Sequence, residues 1–303
     1  MFPTFPIGAT VHSILLACVQ TGKFSSMSAK VPGLPSGVYN YTSKPSLLTR
    51  HLFAGELNAN DLRLHHTLTP IQLSLIDRRR FPDFPDIADF TEAGLLQWYP
   101  YDSPGILRAY VPRLCPQCVE EDTEEFGCGH WRREHQIKSV YICTKHLTAL
   151  HEGCATPNCD SKPYMRREIL PGQPCLACHG TETSSLIAGP ISAGYLAYCK
   201  LFTDACAMRI PELEPVNQLH LCDLPRAFSG GDVDAFSSLL ANWLGAQWKY
   251  LDDELDLAAR FLENPHLTSI RHFMVPSLIL LAAFKRDMLG PPTYCEPTRW
   301  RLS

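Results

Sequence analysis

Eight residues between positions 115 and 178 constrain this chain more than any other feature: Cys115, Cys118, Cys143 and His146, then Cys154, Cys159, Cys175 and Cys178. Two thiolates separated by two residues can converge on one cation. Cys115-Pro-Gln-Cys118 has that spacing, and Cys143-Thr-Lys-His146 supplies a matching half-shell of one thiolate and one imidazole. Together they predict a closed tetrahedral site with bonds of about 2.3 Å to sulfur and about 2.0 Å to nitrogen. Cys154 and Cys159, facing Cys175-Leu-Ala-Cys178, predict a second site of four thiolates. Cys128 and His130 lie between the halves of the first site and are alternatives to Cys143 or His146, although a one-residue gap strains a shared tetrahedral ion more than a two-residue gap. Closed shells leave no position for a reacting water, so the two expected zinc ions are structural.

At 303 residues, 45% hydrophobic and 19% charged, the chain is long enough for two or three globular domains. It contains 13 cysteines. Those outside the proposed ligand set sit mostly in apolar or helical stretches and read as reduced core residues, as in a cytoplasmic protein. The run Val11 to Val19 lacks the basic leader of a signal peptide, and Phe273 to Phe284 is shorter than a bilayer requires, so no membrane association is expected.

The formal net charge is −4, which argues against extended electrostatic wrapping of nucleic acid. Basic residues nevertheless cluster at Arg78, Arg79 and Arg80 and at Arg132 and Arg133, and these five are the candidate nucleic-acid or partner contacts. The acids Glu120, Glu121, Asp122, Glu124 and Glu125 read as a solvated loop beside the first metal knuckle.

The expected fold is mainly α with small zinc-ribbon β elements. Residues 1–100 form an N-terminal helical region, with helices at Val11 to Gln20, from Pro45 to Gly55, from Asn58 to His66, and from Pro70 to the arginine triplet. The last three, short and joined by tight turns, suit a helix-turn-helix module or a helical support for the metal region. Residues 101–182 form tandem zinc ribbons. Residues 183–303 form a C-terminal helical domain in which Val233 to Leu244 and Trp248 to Leu262 have helical periodicity, and a further helix begins near Pro276 and stops at Gly290-Pro291-Pro292. HExxH, GxxxxGK[ST] and GxSxG motifs are absent, and thiolate-rich closed shells are unlike catalytic zinc. A zinc-ribbon transcription factor would share this composition.

Arg113-Leu-Cys115-Pro-Gln-Cys118, His130-Trp131-Arg132 and Cys143-Thr-Lys-His146 with Leu150 resemble the signature of the TniQ/TnsD family of transposon target-selection proteins. Phe5-Pro6 ahead of Ser13, Leu34-Pro35, Arg50-His51-Leu52 and His66-Thr67-Leu68-Thr69-Pro70 extend the resemblance over roughly residues 1–180. Members commonly carry an acid shortly before the N-terminal serine, whereas this chain has Gly8-Ala9-Thr10-Val11-His12. The resemblance implies a bacterial, non-enzymatic protein that marks target DNA and recruits the AAA+ ATPase TnsC. Marking can proceed by docking on an RNA-guided CRISPR Cascade complex or by direct recognition of double-stranded attachment-site DNA, as in TnsD-like members. The C-terminal helices are a candidate homodimer or partner interface.

Overall fold

The computed structural model describes residues 4–22, 58–68, 70–71, 109, 111–160, 168–207, 221–263 and 275–290. The expected helix from Pro45 to Gly55, most of the helix from Pro70, and Arg78, Arg79 and Arg80 lie outside the described residues. The described part is mostly helical with five two-residue strands, as the metal-ligand spacing and apolar periodicity predict.

Helix α1 is Val11–Gln20. Its N-cap is Thr10, whose hydroxyl accepts from the Ser13 amide, so the capping role open to an upstream acid is filled by a threonine. The extended residues before it lie along the Trp131-Arg132 segment. Thr10 N–H donates to Trp131 O and Arg133 N–H to Gly8 O, both at 2.7 Å, and Ala9 bridges Arg132 in antiparallel fashion. Helix α2, Ala59–His66, follows Asn58 where the sequence places it.

The metal region opens with strand β1, Arg113–Leu114, and continues into helix α3, Pro116–Phe126. This helix corrects the solvated-loop reading of the acidic run. Pro116 presets the first turn, helix-forming glutamates fill the exposed face, and Gly127 ends the helix at φ 81°. Strands β2 (Ile142–Cys143) and β3 (Thr148–Ala149) form a hairpin. β1, β4 (His151–Glu152) and β5 (Ser184–Ser185) form an antiparallel sheet with β4 in the middle.

Helices α4 (Ala193–Cys206), α5 (Leu224–Ser229), α6 (Val233–Leu244), α7 (Asp252–Glu263) and α8 (Val275–Leu289) complete the described chain. Residues 276–284 of α8 are buried on every side, as suits a helix at the centre of its neighbours, and α8 packs mainly on α4 and α7. The expected single helix from Trp248 to Leu262 is instead a 3₁₀ segment, Gly245–Tyr250, followed by α7. Gly245 at φ +60° ends α6. The tighter three-residue turn then moves Trp248 off the buried stripe, leaving it 45% exposed.

No break in the core separates the metal region from these helices. Ile137, Val140, Ile142 and Leu150 belong to the same buried cluster as Tyr195, Phe202, Phe236 and Phe284. Polar contacts fasten the same junction. Tyr195 Oη donates to Ser139 O at 2.8 Å and accepts from Tyr141 N–H at 2.9 Å, while Tyr198 Oη donates to Ser139 Oγ at 2.8 Å.

Gly194 lets α4 lie close against α6, since a Cβ there would come 2.2 Å from Trp243 O and 2.7 Å from its indole. Gly194→Ala must therefore separate α4 from α6. We expect it to lower stability by about 1–3 kcal/mol, read as a fall in the urea midpoint without a change in slope.

Candidate metal centres

The first centre joins a helix terminus to a hairpin. Cys115 is the N-cap residue of α3 and Cys118 lies in its first turn, so two sulfurs sit at the positive end of a helix, which favours thiolates. Cys143 ends β2, and His146 lies in the tight connection to β3. Leu147 takes φ +56° to close that connection.

Cys118 Sγ is 3.7 Å from Cys143 Sγ. His146 Nδ1 is 3.4 Å from both Cys115 Sγ and Cys118 Sγ, and 3.6 Å from Cys143 Sγ. A regular tetrahedron with bonds of about 2.3 Å has edges of about 3.75 Å, shorter where nitrogen replaces sulfur. The observed edges fit a single central ion of zinc's size. Mutual contact drives the Cys115 thiol far down and the Cys118 thiol far up from the ordinary cysteine value. Sulfurs this close cannot all carry charge unless a cation lies between them.

Glu121 completes the centre from outside. With Nδ1 facing the sulfurs, His146 Nε2–H donates to Glu121 Oε1 at 3.1 Å, and the other carboxylate oxygen accepts from Lys145 Nζ at 2.5 Å. This contact fixes the imidazole tautomer. The Lys145 ammonium holds the Glu121 carboxyl below the usual range. The sequence offered a weak sign of this role, because Glu121 lies three residues after Cys118 and thus on the same helix face.

The second centre brings Cys154, Cys159, Cys175 and Cys178 together, with their sulfurs all within 4.8 Å of one another. Cys154 and Cys178 are 3.4 Å apart and Cys159 and Cys175 3.7 Å. Gly180 N–H donates to Cys178 Sγ at 3.4 Å, and a Cβ at Gly180 would come 2.5 Å from Thr156 Oγ1, so the threonine side chain would have to turn away. The two four-residue sets expected from spacing are therefore the two sets brought together among the described residues, and both could hold a metal ion. Cys128 and His130 belong to neither. Their Sγ and Nε2 atoms are 3.7 Å apart, and His130 Nδ1 is 3.3 Å from Ser13 Oγ.

The TniQ family model matches residues 38–150. Residues 38–150 are thus similar to the TniQ family. No curated protein matches the chain. The TniQ match ends four residues after His146 and so contains every ligand of the first centre, whereas the second centre and helices α4 to α8 lie beyond it.

Within the matched residues the arginine pair expected to face nucleic acid or a partner is turned inward. Arg132 is paired with Asp122, whose side chain is 1% exposed, and its guanidinium also donates to Ile7 O at 3.3 Å. Asp122 is therefore a buried brace and not a solvated acid. Burial pushes its carboxyl up, while the Arg132 guanidinium and the His130 amide work against that rise. Arg133 is 3% exposed. Its guanidinium donates to Leu64 O, Thr67 O and Cys206 O. Charge in a sequence carries no direction, and here buried carbonyls at helix ends take up that charge.

Trp131 packs with Leu16, Ala17, Leu114 and Leu170, and its indole N–H donates to Ile169 O at 2.9 Å. The Ser13 hydroxyl accepts from Trp131 N–H at 2.9 Å. Ser13 and the Trp131-Arg132 pair are thus two sides of one buried junction.

His66 completes this junction, with Nδ1–H donating to Ala9 O at 2.7 Å. Burial, with the Arg133 charge adding to it, depresses the imidazole from 6.5 to about 4. The folded state requires the neutral ring, so its contribution is complete above pH 6.5 and is lost as pH falls from 6.5 towards 4. His66→Gln should remove about 2 kcal/mol of the stability difference between pH 7.5 and pH 5. Urea midpoints of the two proteins at both pH values test this, and parallel pH dependences would refute it.

Proposed function

We propose that this chain is a non-catalytic target-selection protein for DNA transposition in the bacterial cytoplasm, holding two structural zinc ions and linking a marked target to the AAA+ ATPase TnsC. The observation that carries this reading is the TniQ match over residues 38–150, which closes on the complete first metal centre. Two closed shells suit scaffolding, because a metal with four protein ligands has no position left for a reacting group. The two thiolate-rich ligand sets suit a reducing compartment. Among the described residues no helix is long and apolar enough to cross a membrane.

Docking on an RNA-guided Cascade complex is favoured over direct DNA reading. Acidic residues outnumber basic ones among the described residues, and Arg63, Arg113, Arg132 and Arg133 are turned inward. Guide pairing would read the sequence, leaving this chain only to bridge two proteins. Arg78, Arg79 and Arg80 are then the proposed nucleic-acid or partner contacts, and the C-terminal helices the proposed surface for a second copy. The alternative, a TnsD-like attachment-site reader, would place those three arginines on phosphate.

The test is binding of the zinc-loaded protein to double-stranded DNA over a salt series, with Cascade and TnsC association measured in parallel. We expect firm association with both protein partners and DNA binding no tighter than about 1 μM at physiological salt. Tight, sequence-dependent DNA binding with a steep salt slope would favour the direct reader. Failure to associate with TnsC would remove the adaptor role.

A further inference from the structure

The two metal centres differ in how far their sulfurs are shielded. Cys115, Cys118 and Cys143 of the first are 0%, 5% and 1% exposed, and the fourth ligand is held by Glu121. In the second, Cys175 is buried while Cys154, Cys159 and Cys178 are partly exposed. Its rim is open, with Pro157, Asn158, Ala177 and His179 exposed and Leu176 at the knuckle tip 44% exposed. Attack on a peroxide requires an accessible, thiolate-like sulfur, and only the second centre offers one.

The second centre also frames the seat of helix α1. Its two halves, residues 154–159 and 175–178, flank in sequence the loop that supplies Ile169 and Leu170. Ile169 O accepts the Trp131 indole N–H, and Leu170 is fully buried against Leu16, Ala17 and Trp131. Gln173 Oε1, in the same loop, accepts from Gln20 Nε2 at 2.7 Å and from Leu170 N–H at 2.9 Å. Trp131, Leu16 and Ala17 thus rest on a loop whose C-terminal anchor is Cys175.

We propose that the second centre is a peroxide-responsive switch: Cys154 and Cys178 are oxidised to a disulfide, the metal leaves, and the loop carrying Ile169 and Leu170 releases helix α1. Cys154 opens the reaction, and Cys178, whose thiolate the Gly180 amide stabilises, closes it. The Cys154 thiolate attacks one oxygen of hydrogen peroxide, the O–O bond breaks, and a sulfenic acid forms with loss of hydroxide, which takes a proton to become water. Cys178, 3.4 Å away, attacks that sulfur. The S–S bond forms, the S–O bond breaks, and a second hydroxide leaves as water. The two cysteines lose two electrons and the peroxide gains them. Cys159 and Cys175 alone hold the ion weakly, and it dissociates.

The proposal rests on the reading that both centres hold zinc. That premise is tested first, by elemental analysis of the purified full chain, and a zinc content other than two equivalents would overturn it before any oxidant is added. The two-zinc protein is then titrated with hydrogen peroxide in the presence of a chromogenic zinc chelator, with peptide mapping at each step and tryptophan emission followed throughout. One equivalent should be released at least about tenfold faster than the other. It should coincide with a Cys154–Cys178 disulfide and a red shift of tryptophan emission, and reductant plus zinc should reverse both. A Cys154→Ala protein, which lacks the attacking thiol, should show no fast emission change on peroxide addition. Simultaneous release of both equivalents, first oxidation at Cys115, Cys118, Cys143 or Cys128, or a fast emission change that persists in Cys154→Ala would overturn the switch while leaving the zinc assignment standing.

Discussion

Cys143→Ser is expected to abolish the cooperative unfolding transition of the whole described body and to reduce bound zinc from two equivalents to one. A structural zinc of this kind contributes on the order of 10 kcal/mol at neutral pH, as much as or more than the net stability of a typical domain, about 5–15 kcal/mol. The loss would not stay local. Cys143 ends β2, and the adjoining segment carries Ser139 and Tyr141, which hold Tyr195 and Tyr198 of α4. Ile142 and Cys143 lie in the same buried cluster as α6, α7 and α8. Chelation should act in the same way, with near-ultraviolet circular dichroism lost together with cooperative melting. Cys159→Ser makes the contrast, because it should release one zinc and leave the main transition in place. A Cys143→Ser protein that kept two equivalents of zinc would remove Cys143 from the ligand set.

Ligand spacing is legible in a sequence because coordination geometry demands it. A tetrahedral ion tolerates few gaps between paired ligands, and all eight positions read from Cys115 to Cys178 are brought together as two sets. Helices α1, α6 and α8 were equally legible, α6 from apolar residues at helical spacing and α1 and α8 from apolar runs bounded by a capping threonine, a proline or a glycine. The elements that escaped did so for identifiable reasons. Helix α3 has an acidic face and only two well-buried residues, Cys118 and Asp122, so no hydrophobic stripe announces it. Trp248 continues an apolar repeat in sequence, yet one positive-φ glycine changes the turn geometry ahead of it.

The adjacent arginines Arg132 and Arg133 show where reading by charge stops working. In sequence they form a basic pair near a metal knuckle, a usual mark of a phosphate contact. Their destinations depend on long-range partners that no local pattern encodes. Asp122 reaches Arg132 from the buried face of α3, and the carbonyls that take Arg133 lie 66 to 73 residues away in the chain.

Arg133→Met is expected to cost about 3–5 kcal/mol. Leu64 and Thr67 lie at the C-terminal end of α2, and Cys206 is the last residue of α4, so one guanidinium caps the negative ends of two helices whose final carbonyls lack partners within the helix. Methionine preserves the apolar stem and fills much of the volume, but it leaves three carbonyl acceptors without this donor in a site only 3% exposed. Arg133→Lys should fall between wild type and methionine, because a single ammonium cannot span both helix ends as the planar fork does. Urea unfolding of the zinc-loaded proteins supplies the stabilities. Amide hydrogen exchange at the ends of α2 and α4 locates the loss, with faster exchange expected at both ends in the methionine variant. A methionine variant within about 0.5 kcal/mol of wild type would show that these carbonyls find other donors and that Arg133 does not tie the N-terminal helices to the C-terminal ones.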